Sequence, residues 1–253
     1  MPWTFAHPAA VLPLRRVGRI ELPLSGLVSG SVVPDVGYYF GPYNMAAFAH
    51  TLAGLPLFCL PVGLLFVFFL VRLRSLLVIP LPQPHRTALA SLPSPDLRSV
   101  TGILLMAVSV LIGATTHIVW DSFTHISGAS VHMLSLLQQE AVTILGRTFY
   151  GYNVIQHMST LLGCTVLAVF YRRWVIRTQK EQLRSADKSG RDYLPLVVCV
   201  FTSIAFGVIG ALFRLSANAP ASTIIVRSVI YATVIFGVAY MTLAVYGARK
   251  NSA

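Results

Sequence analysis

Charge is scarce in this sequence of 253 residues: only 11% of them are Asp, Glu, Lys or Arg, and just 8 are acidic. Soluble domains carry about 25% charged residues, so the shortage excludes an ordinary soluble domain and favours a chain that is partly surrounded by lipid. The mean hydropathy of +0.72 agrees with this. The net charge of +11 does not indicate a nucleic-acid partner, because the basic residues lie in short clusters between apolar runs and form no basic stripe.

Cysteine is also scarce, and several local catalytic signatures are missing. Cys59, Cys164 and Cys199 lie inside apolar runs without metal-type spacing, which predicts small buried side chains rather than disulfides or ligands. The chain has no Gly-rich phosphate loop and no Gly-x-Ser-x-Gly nucleophile motif. No cleavable signal peptide is expected, because Arg15 and Arg16 follow the first apolar stretch instead of preceding it.

Long apolar runs, in contrast, are plentiful, and five of them approach the length of about 20 residues that a membrane-crossing helix needs. They cover residues 51–71, 99–119, 154–171, 193–213 and 228–248. The third is the shortest, and Arg172 and Arg173 can snorkel to extend it. Residues 20–33 are too short and too rich in glycine to cross alone, which predicts a re-entrant or interfacial segment under the spans. The predicted fold is an all-α, polytopic membrane helix bundle forming a single membrane domain.

Basic residues in the loops predict the orientation of the bundle. The loops of residues 72–98 and 172–192, together with the C-terminal end, hold 13 of the 19 Lys and Arg residues. Because positively charged loops are retained in the cytoplasm, these regions and the C terminus are expected there. Residues 1–50 and 120–153 would then face outside, although three N-terminal arginines oppose this assignment.

A set of histidines and acids gathers at the outer face in this topology. The set is His7, Asp35, His50, His117, Asp121 and His125. In a helix, the four-residue spacing of His117, Asp121 and His125 makes them step by about 40° each and share one face. Asp35 follows a short apolar run, SGSVVPD, where a bare carboxylate is costly, so it needs a cation or several hydrogen-bond donors.

The chemistry of this set suits a metal. Mixed His and Asp ligation favours zinc, with manganese and iron as alternatives, and does not suit calcium. Six ligands exceed the needs of one closed site, so two ions bridged by a carboxylate would use them better and would suit phosphoester hydrolysis. The alternative for His117 and Asp121 is a simple hydrogen bond in a buried polar network.

Other polar residues surround the set. Additional candidate ligands are His132, Glu140 and His157, for which a packed or hydrated polar tip is the alternative. Tyr38, Tyr39 and Asn44 follow Asp35 and could form a substrate wall or an aromatic belt at the lipid interface. Residues 129–145 predict an amphipathic helix that could cover the outer face. Arg147 after it either meets a substrate phosphate or is simply solvated.

Four motifs carry a resemblance that covers nearly the whole chain: MPWTFAHPAAVLPLRR, LVSGSVVPD, AHTLAG and HIVWDSFTH. Together they resemble domain-of-unknown-function family 4184 of bacterial membrane proteins. That family is similar to bacterial membrane-bound metal-dependent hydrolases. The order of ligand types is also remotely similar to that of zinc-dependent phospholipase C and single-strand nucleases, whose closing His-x-x-x-Glu this chain lacks.

The resemblance implies a multi-pass protein of the bacterial inner membrane, and the basic loops predict that its metal site faces outside. The resemblance further implies that one zinc is held by Asp35, His50, His117 and Asp121. Asp121 would bridge to a second metal bound also by His7, and His125 would belong to a further site.

Three functions are consistent with these features. The first is a hydrolase with one or two zinc ions that acts on a phosphoester or lipid-linked substrate at the outer membrane face, with Asp35 and Asp121 as catalytic residues. The second is a non-catalytic membrane protein with a structural His/Asp metal site. A metal or solute transporter is less favoured, because no acid lies in the interior of a span.

Overall fold

The computed structural model describes residues 3–41, 43–144, 147–182, 193–214 and 221–252. The α-helices in this part of the chain are α1 (Pro8–Val11), α2 (Leu24–Val32), α3 (Val36–Phe40), α4 (Tyr43–Ala49), α5 (Leu60–Leu77), α6 (His85–Ala90), α7 (Val100–Ser122), α8 (Ala129–Met133), α9 (Ser135–Gln138), α10 (Gly151–Gln182), α11 (Leu194–Arg214) and α12 (Ala221–Ser252). The strands are β1 (Arg16–Val17), β2 (Ile20–Glu21), β3 (Glu140–Ile144) and β4 (Arg147–Tyr150). They form two antiparallel hairpins, β1–β2 and β3–β4. The all-α prediction is confirmed.

Among the described residues, five helical segments are long and apolar enough to cross a membrane. They are Leu55–Leu77, Val100–Ser122, Gly151–Lys180, Leu194–Phe213 and Thr223–Lys250. Each overlaps one predicted span, so the prediction of a membrane protein with five spans is confirmed. The third is much longer than residues 154–171, because Arg172 and Arg173 are good helix formers and do not end the helix. A π-helical turn over Leu55–Cys59 leads into α5.

The chain divides into two compact units. The first comprises Met1–Phe68 and Ser94–Arg173, and it contains all six candidate ligands of the outer set. The second comprises Phe69–Pro93 and Trp174–Ala253, and α11 packs against α12 within it. A single membrane domain for the whole chain stays a prediction.

The short helix α2 packs along α7 in the first unit. With 9 residues it is too short to cross a membrane, as expected for this N-terminal segment. Small residues bring the two backbones together: a Cβ atom on Gly30 would overlap the carbonyl oxygen of Val110, and one on Gly113 would overlap that of Leu27. In lipid, where apolar surface gives helices little reason to associate, such close packing is a main source of attraction.

The amphipathic helix predicted over residues 129–145 is wrong. The chain forms the short helices α8 and α9 and then the strand β3, which pairs with β4. Glu140–Ile144, with the sequence EAVTI, contains three β-branched residues, whose preference for extended backbone outweighs the apolar spacing. Thr143 and Thr148 are partners across the hairpin, and their hydroxyl oxygens lie 3.2 Å apart.

The start of α7 is capped by side chains. The Ser99 hydroxyl accepts a hydrogen bond from the Gly102 N–H at 3.0 Å. The Asp96 carboxylate accepts the main-chain N–H groups of Arg98 and Ser99 at 3.0 and 3.1 Å, and also the Ser99 hydroxyl. The hydrogen bond from the Ser99 side chain is the main cause that lowers the pKa of Asp96. The Ser99 hydroxyl replaces a helical acceptor that the first N–H groups of a helix lack, and Asp96 holds the turn that precedes the helix.

Candidate metal centre

Four side chains from separate parts of the first unit converge on one point. Asp35, His50, His117 and Asp121 each offer one ligand atom, and these atoms all lie within 4.8 Å of one another. Asp35 ends a 3-10 turn after α2, His50 directly follows α4, and the other two lie one turn apart near the end of α7. Asp35 and His117 are 0% and 1% exposed. We call this group the four-ligand cluster.

The distances within the four-ligand cluster are those of ligands around a metal rather than of hydrogen bonds. Asp35 Oδ1 lies 3.6 Å from Nε2 of His50 and 3.5 Å from Nε2 of His117. Asp121 Oδ2 lies 3.5 and 3.4 Å from the same two nitrogens. Hydrogen bonds from N–H to oxygen span about 2.7–3.2 Å. Tetrahedral ligands on bonds of about 2.0–2.1 Å lie about 3.3–3.4 Å apart, which is close to these four nitrogen–oxygen distances.

The remaining atoms of these side chains are held by partners outside the cluster. His117 Nδ1 lies 2.7 Å from the Ser31 carbonyl oxygen, and His50 Nδ1 lies 2.7 Å from that of Ala46. A carbonyl oxygen only accepts, so both Nδ1 atoms carry a proton, and in the neutral imidazoles both Nε2 atoms then direct a lone pair towards the carboxylates. Metal-binding histidines are usually oriented by such partners.

Asp35 is oriented in the same way by a chain of hydroxyl groups. The Thr4 hydroxyl donates to Asp35 Oδ2 at 2.5 Å, which leaves Oδ1 for the cluster. Since the Thr4 proton is used there, Tyr39 donates its own hydroxyl to Thr4 Oγ1 at 3.0 Å. Burial raises the pKa of Tyr39, so this donor keeps its proton at neutral pH.

Several buried polar atoms of the site lack a hydrogen-bond partner among the described residues. They are His7 Nε2, Asp35 Oδ1, His117 Nε2 and Asp121 Oδ1. A buried carboxylate oxygen without a partner is costly, and so is a lone pair of imidazole directed at it. A cation between these oxygens and nitrogens removes both costs, so the donor set fits a bound metal.

His7 lies on the other side of Asp121. Its Nε2 is 3.4 Å from Asp121 Oδ1, the oxygen that is not directed at the four-ligand cluster. Its ring stacks on that of His117, with ring centroids 3.7 Å apart. Burial lowers the pKa of His7 to about 3, so the imidazole is neutral at neutral pH, as metal binding requires.

His125 also stays close to Asp121, one turn further along the chain. Its Nδ1 donates to the Asp121 main-chain carbonyl at 3.0 Å and lies 3.6 Å from Asp121 Oδ2. Burial lowers the pKa of His125. With Nδ1 engaged, Nε2 is the atom that remains for a metal.

The structure does not bring the additional candidate ligands into this group. His132 and Glu140 are exposed on α8 and β3. His157 is exposed on α10, where its ring lies 6.1 Å from that of Phe149. The side chain of Arg147 lies outside the described part of the chain.

The predicted substrate residues differ in their positions. Tyr39 belongs to the hydroxyl chain that reaches Asp35 through Thr4, so it supports the site rather than lining its surface. Tyr38 lies beside the site, with its ring 6.1 Å from that of His50. Asn44 is exposed on α4.

Sequence reasoning missed the partners that orient the ligands. The Ala46 carbonyl could have been found, because it precedes His50 by the four residues of one helical turn. Thr4 is separated from Asp35 by 31 residues, and Ser31 from His117 by 86, so no local spacing indicates either contact.

The part of the chain that forms the site matches a known sequence family. The family described as "Domain of unknown function (DUF4184)" matches residues 1–247, a range that includes every candidate ligand. No curated protein and no solved structure matches the chain. With nearly its whole length matched, the chain belongs to the DUF4184 family.

Proposed function

We propose that this protein is a metal-dependent hydrolase of the bacterial inner membrane that acts on a phosphoester or lipid-linked substrate at the outer face. The observation that carries the proposal is the four-ligand cluster, with nitrogen–oxygen separations of 3.4–3.6 Å. The proposed ion is zinc, because mixed His and Asp ligands suit zinc best; manganese and iron are the alternatives.

A second ion would fit between Asp121 and His7. Asp121 Oδ2 faces the four-ligand cluster, whereas Oδ1 faces the neutral imidazole of His7 at 3.4 Å. One carboxylate between two sets of nitrogen ligands would suit a bridging ligand, and His125, whose Nδ1 lies 3.6 Å from Asp121 Oδ2, is the proposed further ligand near this carboxylate. When bound, such ions supply Lewis-acid chemistry and acidify water near neutral pH.

The remaining proposed roles, which are catalysis, positioning and access for substrate, belong to residues of the chain itself. Asp35 and Asp121 are the proposed catalytic carboxylates, and the hydroxyl chain from Thr4 and Tyr39 holds Asp35 in place. The side chains of His50 and His125 are 21% and 28% exposed, whereas that of His117 is fully buried. Substrate is therefore proposed to approach from the side of His50 and His125.

A structural metal site is the second candidate. Asp35, His50, His117 and Asp121 would supply the four protein ligands with which structural zinc sites are closed. The complete burial of Asp35 and His117 favours this role, since a single ion among four ligands would simply fasten the N-terminal segment onto α7. The two candidates differ in whether a position stays open for substrate.

Elemental analysis of the detergent-purified protein tests the site itself. We expect one or two zinc ions per chain in the wild type and in His132→Ala, a control histidine that is exposed in the same unit. Asp121→Asn and His117→Ala should lose most of this metal while circular dichroism shows that they keep their helices. A folded wild type that contains no metal and gains no thermal stability from added zinc would overturn both candidates.

Hydrolysis of bis(p-nitrophenyl) phosphate separates the two candidates. Metal-dependent release of nitrophenolate that disappears in Asp121→Asn supports the hydrolase. A protein that binds zinc, loses thermal stability when it is chelated and hydrolyses neither this compound nor phospholipid vesicles has a structural site instead.

A further inference from the structure

A cavity in the first unit lies beside the metal centre. Its volume of about 430 Å³ is within the range of roughly 300–1,000 Å³ that ligand pockets occupy. The walls come from the start of the chain around α1, from Trp120 at the end of α7, and from one face of α10. Apart from His7 and Ser159, the wall residues are apolar. A ligand that fills this cavity must itself be almost entirely apolar.

The wall formed by α10 is a stripe along a membrane-crossing helix. Val154, Met158, Leu162 and Val166 recur at intervals of four residues, so they share one face, and all four line the cavity. Each is exposed, by 38–58%. From Val154 to Val166 the helix rises by about 18 Å, and the hydrocarbon region of one bilayer leaflet is about 15 Å thick. The stripe therefore has the length of a single lipid tail.

The cavity and the metal centre share a residue. His7 lines the cavity, and its Nε2 lies 3.4 Å from Asp121 Oδ1. Trp120, another wall residue, precedes Asp121 directly in the chain. A molecule that lies in the cavity thus contacts both a proposed metal ligand, His7, and the apolar face of α10.

We propose that this cavity binds one hydrocarbon tail of a membrane lipid whose polar ester group lies at the metal centre. The inference rests on the proposed hydrolase function and assigns its substrate class: a long-chain lipid rather than a small soluble phosphoester. A tail gains little free energy when it moves from an apolar bilayer into an apolar cavity. The cavity therefore contributes orientation, because it places the ester of a tethered headgroup beside Asp121.

Filling the stripe tests the inference. Leu162→Trp places a large ring in the cavity, whereas Leu161→Trp makes the same change at a neighbouring residue that is exposed on α10 and does not line the cavity. Val166→Phe is a second filling variant in case Leu162→Trp does not fold. The probe is dioleoyl phosphatidylglycerol, and native mass spectrometry of the detergent-solubilised protein measures how much of it stays bound.

We expect the wild type and Leu161→Trp to retain one lipid per chain. Leu162→Trp should bind it at least about tenfold more weakly, a change of about 1.4 kcal/mol, with its metal content unchanged. Equal retention by Leu161→Trp and Leu162→Trp overturns the inference. A dimer that only the filling variants convert to a monomer also overturns it, because the occupant is then a second copy of this chain.

Activity assays on the same variants separate this inference from the hydrolase proposal. If Leu162→Trp keeps wild-type hydrolysis of bis(p-nitrophenyl) phosphate and loses hydrolysis of dioleoyl phosphatidylglycerol, both stand. If it hydrolyses both compounds like the wild type, the tail site is overturned and the hydrolase remains. If the wild type hydrolyses neither compound, both the hydrolase function and the role of the lipid as its substrate are overturned, whether or not lipid is bound.

Discussion

Two helix pairs, α2 with α7 in the first unit and α11 with α12 in the second, are packed by the same device. In each pair a glycine lets the backbones approach. A Cβ on Gly30 would overlap the Val110 carbonyl oxygen, and one on Gly207 would lie 2.7 Å from the Cβ of Ala232. Helices in lipid associate through such close contacts because they have no water to escape.

The two pairs differ in the polar groups that they bury. On α11, the buried Ser203 donates its hydroxyl to the Cys199 carbonyl of its own helix at 2.6 Å, so it needs no partner elsewhere. On α7, His117 and Asp121 reach other segments: Ser31, Asp35 and His50. Ionisable groups in a membrane helix are expensive and are usually functional. Close packing thus joins the helices of both pairs, whereas the ionisable groups on α7 mark the site.

Replacement of a buried ionisable group should distinguish the two helix pairs most clearly. Asp121→Asn keeps the shape of the side chain but removes the charge that faces both His7 and the four-ligand cluster. Loss of a residue that only orients a metal ligand weakens metal binding about 10–100-fold, so loss of this ligand itself should weaken zinc binding more than about 100-fold. Isothermal titration with zinc measures the change. Ser203→Ala on α11 is the matched control, and any comparable loss of zinc binding there would contradict the distinction between the two pairs.

Alanine at three glycines tests the shared packing device. Gly30→Ala and Gly207→Ala should each destabilise the protein by about 1–3 kcal/mol, because the new methyl group meets a packed neighbour. Only Gly30→Ala should also weaken zinc binding, since Ser31 next to it holds His117. At Gly237, a Cβ would meet nothing within 4 Å, so Gly237→Ala should be neutral or stabilising by up to about 1 kcal/mol.

Thermal unfolding in detergent, with and without zinc, measures how these substitutions change both the stability of the protein and its binding of zinc. If Gly207→Ala weakened zinc binding as much as Gly30→Ala, packing in general and not the position of α2 would control the site.

The hydroxyl that orients Asp35 should have a smaller effect. Thr4→Val removes the donor to Asp35 Oδ2 and leaves a side chain of the same shape. We expect zinc affinity to fall about 10-fold, as is typical when a residue that hydrogen-bonds to a metal ligand is lost, and Thr4→Ser to restore most of it. If Thr4→Val bound zinc like the wild type, Asp35 would not depend on this contact.

The cap of α7 should give the smallest effect, and it should depend on pH. Because hydrogen bonds lower the pKa of Asp96 in the folded protein, the ionised carboxylate stabilises the fold. This contribution is complete above the ordinary pKa of 3.8 and is lost as the pH falls through the lower folded value. Asp96→Asn should flatten this acid limb of the unfolding profile; an unchanged limb would show that the cap contributes nothing.

The sequence was most informative where the pattern is local. Each of the five apolar stretches corresponds to a membrane-length helix, because length and hydropathy are properties of the segment itself. The His117–Asp121 pair needed only the period of a helix to be placed on one face. Residues 129–145 failed for a local reason too: apolar spacing in a short segment was weaker than the extended preference of Val142, Thr143 and Ile144.

The composition and periodicity of this chain sufficed for its membrane character, its five spans and the candidate ligands on one side of the predicted bundle. They could not indicate which ligands meet. The packing of α2 on α7 places the Ser31 carbonyl at His117, and the fold of the N-terminal segment brings Thr4 to Asp35 and His7 to Asp121. Such contacts join residues far apart in the chain, and backbone packing brings them together, so no local spacing of the ligands reveals them.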